Sequence, residues 1–479
     1  MEPLAKDPGQ DREAGFPDKR DLERALAAAA AKGADFAEVF VEREASDSVR
    51  IEDEVVREAA RGLTLGAGVR AIAGERVGYA YTDGTDPESI VEAARVAGEI
   101  ATAGGPARPV ALGRRAAASP YSTPRVLPGG IDPARKIAVA WSAEKAARAY
   151  DPRIKEVLVG MADADRATLV ANSEGLHVTD RRIITSLRVT TVAERDGMRQ
   201  RGYRSQSGTV GYELFDARPA EKLARDAAQH AVTLLDAVET PAGAMTLVLA
   251  RAGGAVFFHE AIGHGFEGDF IRKKTSLFAG RMGEIVAARG CTVIDDGTAP
   301  GRRGTISVDD EGTPGQRTVL IENGALKAFL YDRLNAKLMG TVSTGNGRRQ
   351  SYRNVPVPRM TNTVLLEGVT PPEEIIASVR QGFYAKHMGG GQVDISSGNF
   401  TFEVSEGYLI ENGRIGAPVR GASLIGNGGE ILKKIDMVGN DFEYHDGWGT
   451  CGKAGQGIPV TYGMPTIRVS EITIGGTKS

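Results

Sequence analysis

Phe36-Ala37-Glu38-Val39-Phe40-Val41-Glu42-Arg43-Glu44 mixes apolar and polar residues with a period near two, the pattern of a strand that buries one face. Just before it, Pro17 and Asp18 open a helix that runs to Lys32, with Asp18 suited to the N-cap and Gly33 to the position past the end. Just after it, apolar runs at 48–52, 63–72 and 76–81 read as further strands, punctuated by Gly62, Gly74 and Gly84. Asp86-Pro87-Glu88 then starts a second helix, reaching about Ala103. Residues 104–130, rich in Pro, Gly, Ala and Arg, read as a linker. A similar passage follows: a helix from Asp132, strands between about 154 and 208, and a helix over 217–238. Helix, four strands and helix, twice over, hints at a duplicated unit.

Thr240-Pro241-Ala242-Gly243 is the best boundary, dividing a domain of 18–240 from one of 241–479. Beyond it glycines become dense, strands short and helices few, with helices expected at about 253–264 and 372–381. The chain holds 61 glycines in 479 residues, about 13% against the usual ~7%. They follow no fixed period, which excludes collagen, and they suit tight turns in a β-rich fold and close approach by a ligand. The 59 basic and 62 acidic residues nearly cancel, to a net charge of -3, which excludes a strongly basic nucleic-acid binder. Residues 1–17 read as a flexible tail; they lack the apolar core of a signal peptide, and the alanine-rich run 25–31 is too short to cross a bilayer. Two cysteines, Cys291 and Cys451, build no disulfide framework, so a reducing, cytoplasmic compartment is expected. No membrane or nucleic-acid partner is expected.

The chemistry is concentrated in Phe257-Phe258-His259-Glu260-Ala261-Ile262-Gly263-His264-Gly265-Phe266-Glu267-Gly268. This resembles the His-Glu-x-x-His zinc-peptidase pattern, with one extra residue between the histidines. Histidines four apart lie about 40° from each other around a helix, whereas five apart they lie about 140° from each other. A shared metal therefore requires the helix to widen or to end near Gly263, and Gly263 and Gly265 make such a break cheap. Two imidazoles and a thiolate suit zinc, and Cys451, in Gly449-Thr450-Cys451-Gly452-Lys453, is the candidate third ligand, with Lys453 placed to keep it ionised. Glu260 would be the general base that takes a proton from a metal-activated water. The bland readings stand beside these: two histidines on an apolar segment are also ordinary core residues, and Cys451 is also a small buried hydrophobe. Cys291 looks like the start of a strand. His177, His230, His387 and His445 have no partner spacing and read as structural, with His445 the reserve ligand because it lies near Cys451.

The chain resembles the TldD/PmbA family of metallopeptidases, in particular its catalytic TldD-type branch. The resemblance is carried by the segment from His259 to Asp269, by Arg348-Arg349-Gln350-Ser351-Tyr352-Arg353-Asn354-Val355-Pro356, and by Pro358-Arg359-Met360-Thr361-Asn362-Thr363. Gly389-Gly390-Gly391-Gln392-Val393-Asp394 and Gly449-Thr450-Cys451-Gly452-Lys453 complete it. It implies an α+β protein whose N-terminal domain is an antiparallel sheet with flanking helices. Its C-terminal domain is β-rich and barrel-like and carries the metal site. It also implies zinc held by His259, His264 and Cys451, with Glu260 catalytic. Hydrolysis of unfolded or extended peptides is implied too, in a homodimer or in a heterodimer with a non-catalytic sister subunit. Tyr352 and Arg353 are candidates for stabilising the oxyanion. Two rival readings remain: a regulatory or chaperone-like subunit with a structural zinc, and a metal-dependent hydrolase of another amide or ester. Trp448, before the usually small Thr450-Cys451 step, departs from the family pattern and would narrow one wall of the site. Residues 1–20 have no clear counterpart.

Overall fold

A computed structural model of the chain describes residues 15–102, 104–105 and 110–476; the expected tail lies outside them up to residue 14. Asp18, Asp86 and Asp132 each open a helix, their carboxylates accepting from Asp21 N, Ser89 N and Ala134 N at 2.8–3.0 Å. The helices are α1 (Lys19–Ala30), α2 (Pro87–Ala101) and α3 (Pro133–Arg148), followed by α4 (Ala220–Leu235).

Six long strands lie between them: β1 (Phe36–Glu52), β2 (Val55–Ala73), β3 (Arg76–Asp83), β4 (Ile154–Asn172), β5 (His177–Arg195) and β6 (Met198–Gly208). They form one antiparallel sheet in the order β3-β2-β1-β4-β5-β6, with the short strand Ala116–Ala117 added parallel to β5. The order reads alike from either edge, because the two units meet through their first strands. Each unit has three strands where four were expected. The runs at 36–44 and 48–52 are one strand, in which the polar stretch Glu44–Ser48 stays paired with both β2 and β4. Helices α1 and α2 cover Val39, Val41 and Val69, while α3 and α4 cover Val157, Val159, Leu187 and Val189. The two units repeat one close approach: a Cβ on Gly78 would stand 1.9 Å from Ala97 O, and one on Gly202 would stand 2.0 Å from Ala227 O. In each, a glycine of the third strand lets the closing helix rest on the sheet.

The C-terminal part is built on β7 (Gly243–Leu249), α5 (Val256–Ala261), β8 (Gln381–Val393), β9 (Asn399–Glu411), β10 (Ala422–Asn427), the hairpin β11 (Thr450–Lys453) and β12 (Gln456–Pro459), and β13 (Ile467–Gly475). Strands β8-β7-β13-β10-β9 pair in that order, and β9 pairs back onto β8, closing a five-stranded barrel. The α+β class and the barrel-like C-terminal part thus match the expectation. Leu247 and Leu249 join the core that holds Phe257 and Phe258, whereas Val248 packs with Ile375 and Val379, as the period of two requires. The helix expected over 372–381 is Pro372–Ala377, because Gln381 already begins β8. Strands β8 and β9, of 13 residues each, are longer than the glycine density led one to expect. Among the described residues no helix is long and apolar enough to cross a membrane.

Candidate metal centre

Phe257 anchors α5. Its ring meets Phe400 and Phe402 of β9 at centroid distances of 5.2 and 6.0 Å, which fixes the rotation of the helix and places His259, two residues on, in the interior. The helix ends at Ala261. Ile262 takes φ -128°, ψ -53°, and Gly263–Phe266 continue as a 3-10 turn. The break swings His264 back towards His259, and the rings stand 5.3 Å apart at 78°. The helix expected over 253–264 is therefore divided between two geometries. The glycines act differently from expectation: neither Gly263 nor Gly265 has positive φ. A Cβ on Gly263 would lie 2.0 Å from Met360 Sδ, and one on Gly265 would lie 2.9 Å from the Phe278 ring. They are needed for closeness rather than for backbone freedom.

Cys451 arrives on β11, paired with Ile458 across a hairpin that turns at Ala454 and Gly455, both with positive φ. The buried Arg359 guanidinium clamps the hairpin by donating to Cys451 O and Gln456 O. His259, His264 and Cys451 are all buried, and one ligand atom of each lies within 4.8 Å of the others. Cys451 Sγ is 3.3 Å from His264 Nε2. Ligand atoms about 2.0–2.3 Å from a tetrahedral zinc stand about 3.3–3.6 Å from each other. Both ring nitrogens of His259 are buried with no hydrogen-bond partner among the described residues. Such orphaned polar atoms are costly unless something binds them. The donor set, two imidazoles and a thiolate, fits zinc.

Beside these three lies Glu267. It is fully buried, and its carboxylate takes the Nδ1 side of His264 at 3.0 Å, which leaves Nε2 to face the thiol. Lys453 pairs with Glu267 at 3.0 Å and Asp269 at 2.7 Å. Burial would raise the Glu267 carboxyl, but the His264 and Lys453 charges hold it down at about 2. Burial would likewise raise the Cys451 thiol, and the two imidazoles overcome it and hold the thiol well below its ordinary value. The groups that favour the thiolate are thus His259 and His264, while Lys453 is spent on carboxylates. Sequence reasoning passed over Glu267 and Arg359; the one signal for Glu267 was an acid three residues after His264.

Glu260 Oε2 stands 3.7 Å from His264 Nε2, and its side chain is 27% exposed, so it faces the three donors and solvent together. His445 is not in the cluster. It stacks on Tyr462 at 4.9 Å, and its Nδ1 accepts from Gly447 N. The Tyr462 ring lies 6.0 Å from that of His259 and also lines a cleft of about 900 Å³ that runs past Lys386–Gly390. Tyr352 and Arg353 are committed elsewhere: the Tyr352 hydroxyl and the Arg353 guanidinium both donate to Asp83 of β3.

Residues 37–101, 127–235 and 242–476 match domain 1, the central domain and the C-terminal domain of the PmbA/TldA metallopeptidases. A metalloprotease TldD homolog of Haemophilus influenzae is 40% identical over 458 residues, covering 93% of each chain. A zinc metalloprotease TldD homolog of Saccharolobus solfataricus is 30% identical over 306 residues, 62% of this chain and 67% of that one. The solved structure of TldE from Thermococcus kodakarensis superposes with a TM-score of 0.75 at 23% identity, over 95% of this chain and 100% of that one.

Proposed function

Since the chain belongs to the PmbA/TldD family of metallopeptidases, we propose that it is a zinc-dependent peptidase of unfolded or extended peptides, with His259, His264 and Cys451 as ligands and Glu260 as general base. The observation that carries this is the convergence of three buried donor atoms within 4.8 Å, with a part-exposed carboxylate 3.7 Å from one of them. Zinc, when bound there, would lower the pKa of a water and polarise a scissile carbonyl. Glu260 accepts the proton of the attacking water and hands it to the leaving amine. Glu267 holds His264 in the tautomer that offers Nε2. Tyr462, beside His259 and open to the cleft, is the phenol best placed to donate to the developing oxyanion. Tyr352 and Arg353 have no part in this reading, because Asp83 already engages both.

The backbone supports an extended substrate. Pairing of β8 with β9 is interrupted between Met388 and Gly391, so Gly389 and Gly390 are left out of the ladder beside the cleft, where a peptide strand could pair. We take residues 18–240 and 241–479 as the two domains, since the apolar core around the barrel is separate from the two cores of the six-stranded sheet. A homodimer, or a heterodimer with a TldE-like sister subunit, is the proposed assembly, and the free, buried Cys291 and Cys451 suit the cytoplasm. The test is Glu260→Gln assayed on an unfolded polypeptide by mass spectrometry. Metal content should be unchanged and turnover should fall by about 10²- to 10⁴-fold. Turnover near that of the wild type would remove Glu260 from the mechanism.

A further inference from the structure

On the far side of the Cys451 hairpin, between it and the six-stranded sheet, lies a second cavity of about 420 Å³, within the range of small-ligand sites. Much of its wall is apolar, from Ile184, Ile306, Trp448 and Ile458. Two guanidinium groups also line it, and they differ from the other arginines nearby. Arg166 pairs with Glu42, Arg182 with Asp180 and Asp310, and Arg349 with Glu38. Arg303 and Arg348 are 8% and 3% exposed, and among the described residues neither has a carboxylate within ion-pair distance.

Their hydrogen bonds go to neutral groups. Arg303 donates to Gly449 O, Ser186 Oγ and Ser207 Oγ at 2.8–3.0 Å, and Arg348 to Met360 O at 2.7 Å. Arg348 Nε is buried with no hydrogen-bond partner among the described residues. The acids on the same wall do not supply the missing charge. Asp47 and Asp163 are held by Lys136, and Asp310 by Arg182. Glu44 also lines the wall, its carboxyl raised by burial against the opposing pull of Arg166. Asp310 and Asp295 act on Arg348 only at longer range, and buried cations without a carboxylate in contact favour an anion that joins them.

We propose that this cavity binds a carboxylate carried on an apolar body, with Arg303 and Arg348 holding the anion and Trp448 and the isoleucines holding the body. A guanidinium presents paired donors that match a carboxylate's two oxygens, and the apolar walls disfavour a small hydrated anion such as phosphate. The identification of the carboxylate as belonging to a peptide rests on the peptidase reading. Its source is then either a peptide's C-terminus or an acidic side chain. Arg303 is bonded to Gly449, two residues before Cys451, so occupancy of the cavity would be felt at the hairpin that carries the candidate ligand. Trp448, the departure from the family pattern, forms part of this wall, with the Arg303 guanidinium 5.5 Å from its ring.

The test reads binding rather than hydrolysis, so its failure is separable from failure of the peptidase reading. N-acetyl-leucine, N-acetyl-leucinamide, N-acetyl-glutamic acid α-amide and inorganic phosphate are titrated calorimetrically into full-length Glu260→Gln protein. At least one of the two carboxylates should bind, and the uncharged amide should bind at least tenfold more weakly. Which carboxylate wins names the source. Arg348→Gln and Ala164→Phe, in the same background, should each weaken that binding at least tenfold while metal content stays unchanged. Ala164→Phe fills the cavity but leaves both arginines in place, so it guards against an arginine variant that merely fails to fold. Equal binding of acid and amide, absence of carboxylate binding, a preference for phosphate, or carboxylate binding that survives Ala164→Phe would overturn the proposal.

Discussion

At His259, His264 and Cys451 three metal-ligating side chains converge, and among the described residues neither ring nitrogen of His259 has a hydrogen-bond partner. At Glu38, Arg70, Glu311 and Arg349 an equally buried cluster joins the six-stranded sheet to the C-terminal part, and there each charge meets its opposite. Arg70 reaches Glu38 at 3.0 Å and Glu311 at 2.6 Å, and Arg349 also pairs with Glu38. Both clusters pay for desolvation, but only the second is closed by the protein itself. A buried polar cluster that neutralises itself fastens the fold, and one that stops short of doing so marks a place for something else.

The largest expected effect tests the open cluster. Elemental analysis should find near-stoichiometric zinc in the wild type and little of it in Cys451→Ser or His259→Ala, because the remaining ligands would not hold the ion alone. Full metal retention in both variants would make the cluster an ordinary polar core and erase the contrast. The closed cluster comes next. Arg70→Met leaves Glu311 buried with, among the described residues, only the backbone N–H of Arg333 as donor. Denaturant unfolding at pH 8 should show a loss of about 3–5 kcal/mol, the usual cost of breaking a buried pair by removing one member. A loss below about 1 kcal/mol would mean that the network fastens nothing. Smaller again is Glu267→Gln, which keeps a hydrogen bond to His264 but removes the charge. Zinc affinity, measured by competition with a chelator, should fall about 10- to 100-fold, as for other carboxylates behind a ligating histidine.

The two clusters also differ in how far the sequence discloses them. His259, Glu260 and His264 lie within six residues, and the fifth-residue spacing required the break that the structure shows at Ile262. Glu267 lay in the same quoted segment, yet its role depends on the 3-10 turn that aims His264 Nδ1 at it. The closed cluster was out of reach, since Glu38 and Arg349 are 311 positions apart and no local pattern joins them. The elements follow the same rule. Three aspartate caps marked three helix starts, because a cap is a local hydrogen bond. β1 reads as two strands because polar residues crowd its middle; Glu44, Ser46, Asp47 and Ser48 line the arginine cavity, a tertiary cause that mimics a loop signal.

The smallest effect sharpens the contrast through pH. Burial pushes the Glu311 carboxyl up to about 7, with Asp332 and Glu38 adding to the shift and Arg70 opposing it. Its folded value therefore lies above its unfolded value near 4.5. Between these two the folded protein binds more protons than the unfolded chain, so this group's contribution to stability declines as pH rises from about 4.5 to about 7 and then levels off. The slope cannot exceed about 1.4 kcal/mol per pH unit, and Arg70 keeps it lower. The total curve will not show this directly. Desolvation holds His230, His387 and His445 below their ordinary range, which makes stability rise with pH up to about 6.5. The quantity to measure is the stability of the wild type minus that of Glu311→Gln at each pH. Glutamine keeps the volume and does not titrate, so the histidines cancel in the difference. That difference should fall between pH 5 and 7 and be flat from 7.5 to 9. A difference that rises over the same interval would mean that Glu311 is ionised throughout, and that the closed cluster neutralises its acids more completely than its geometry implies.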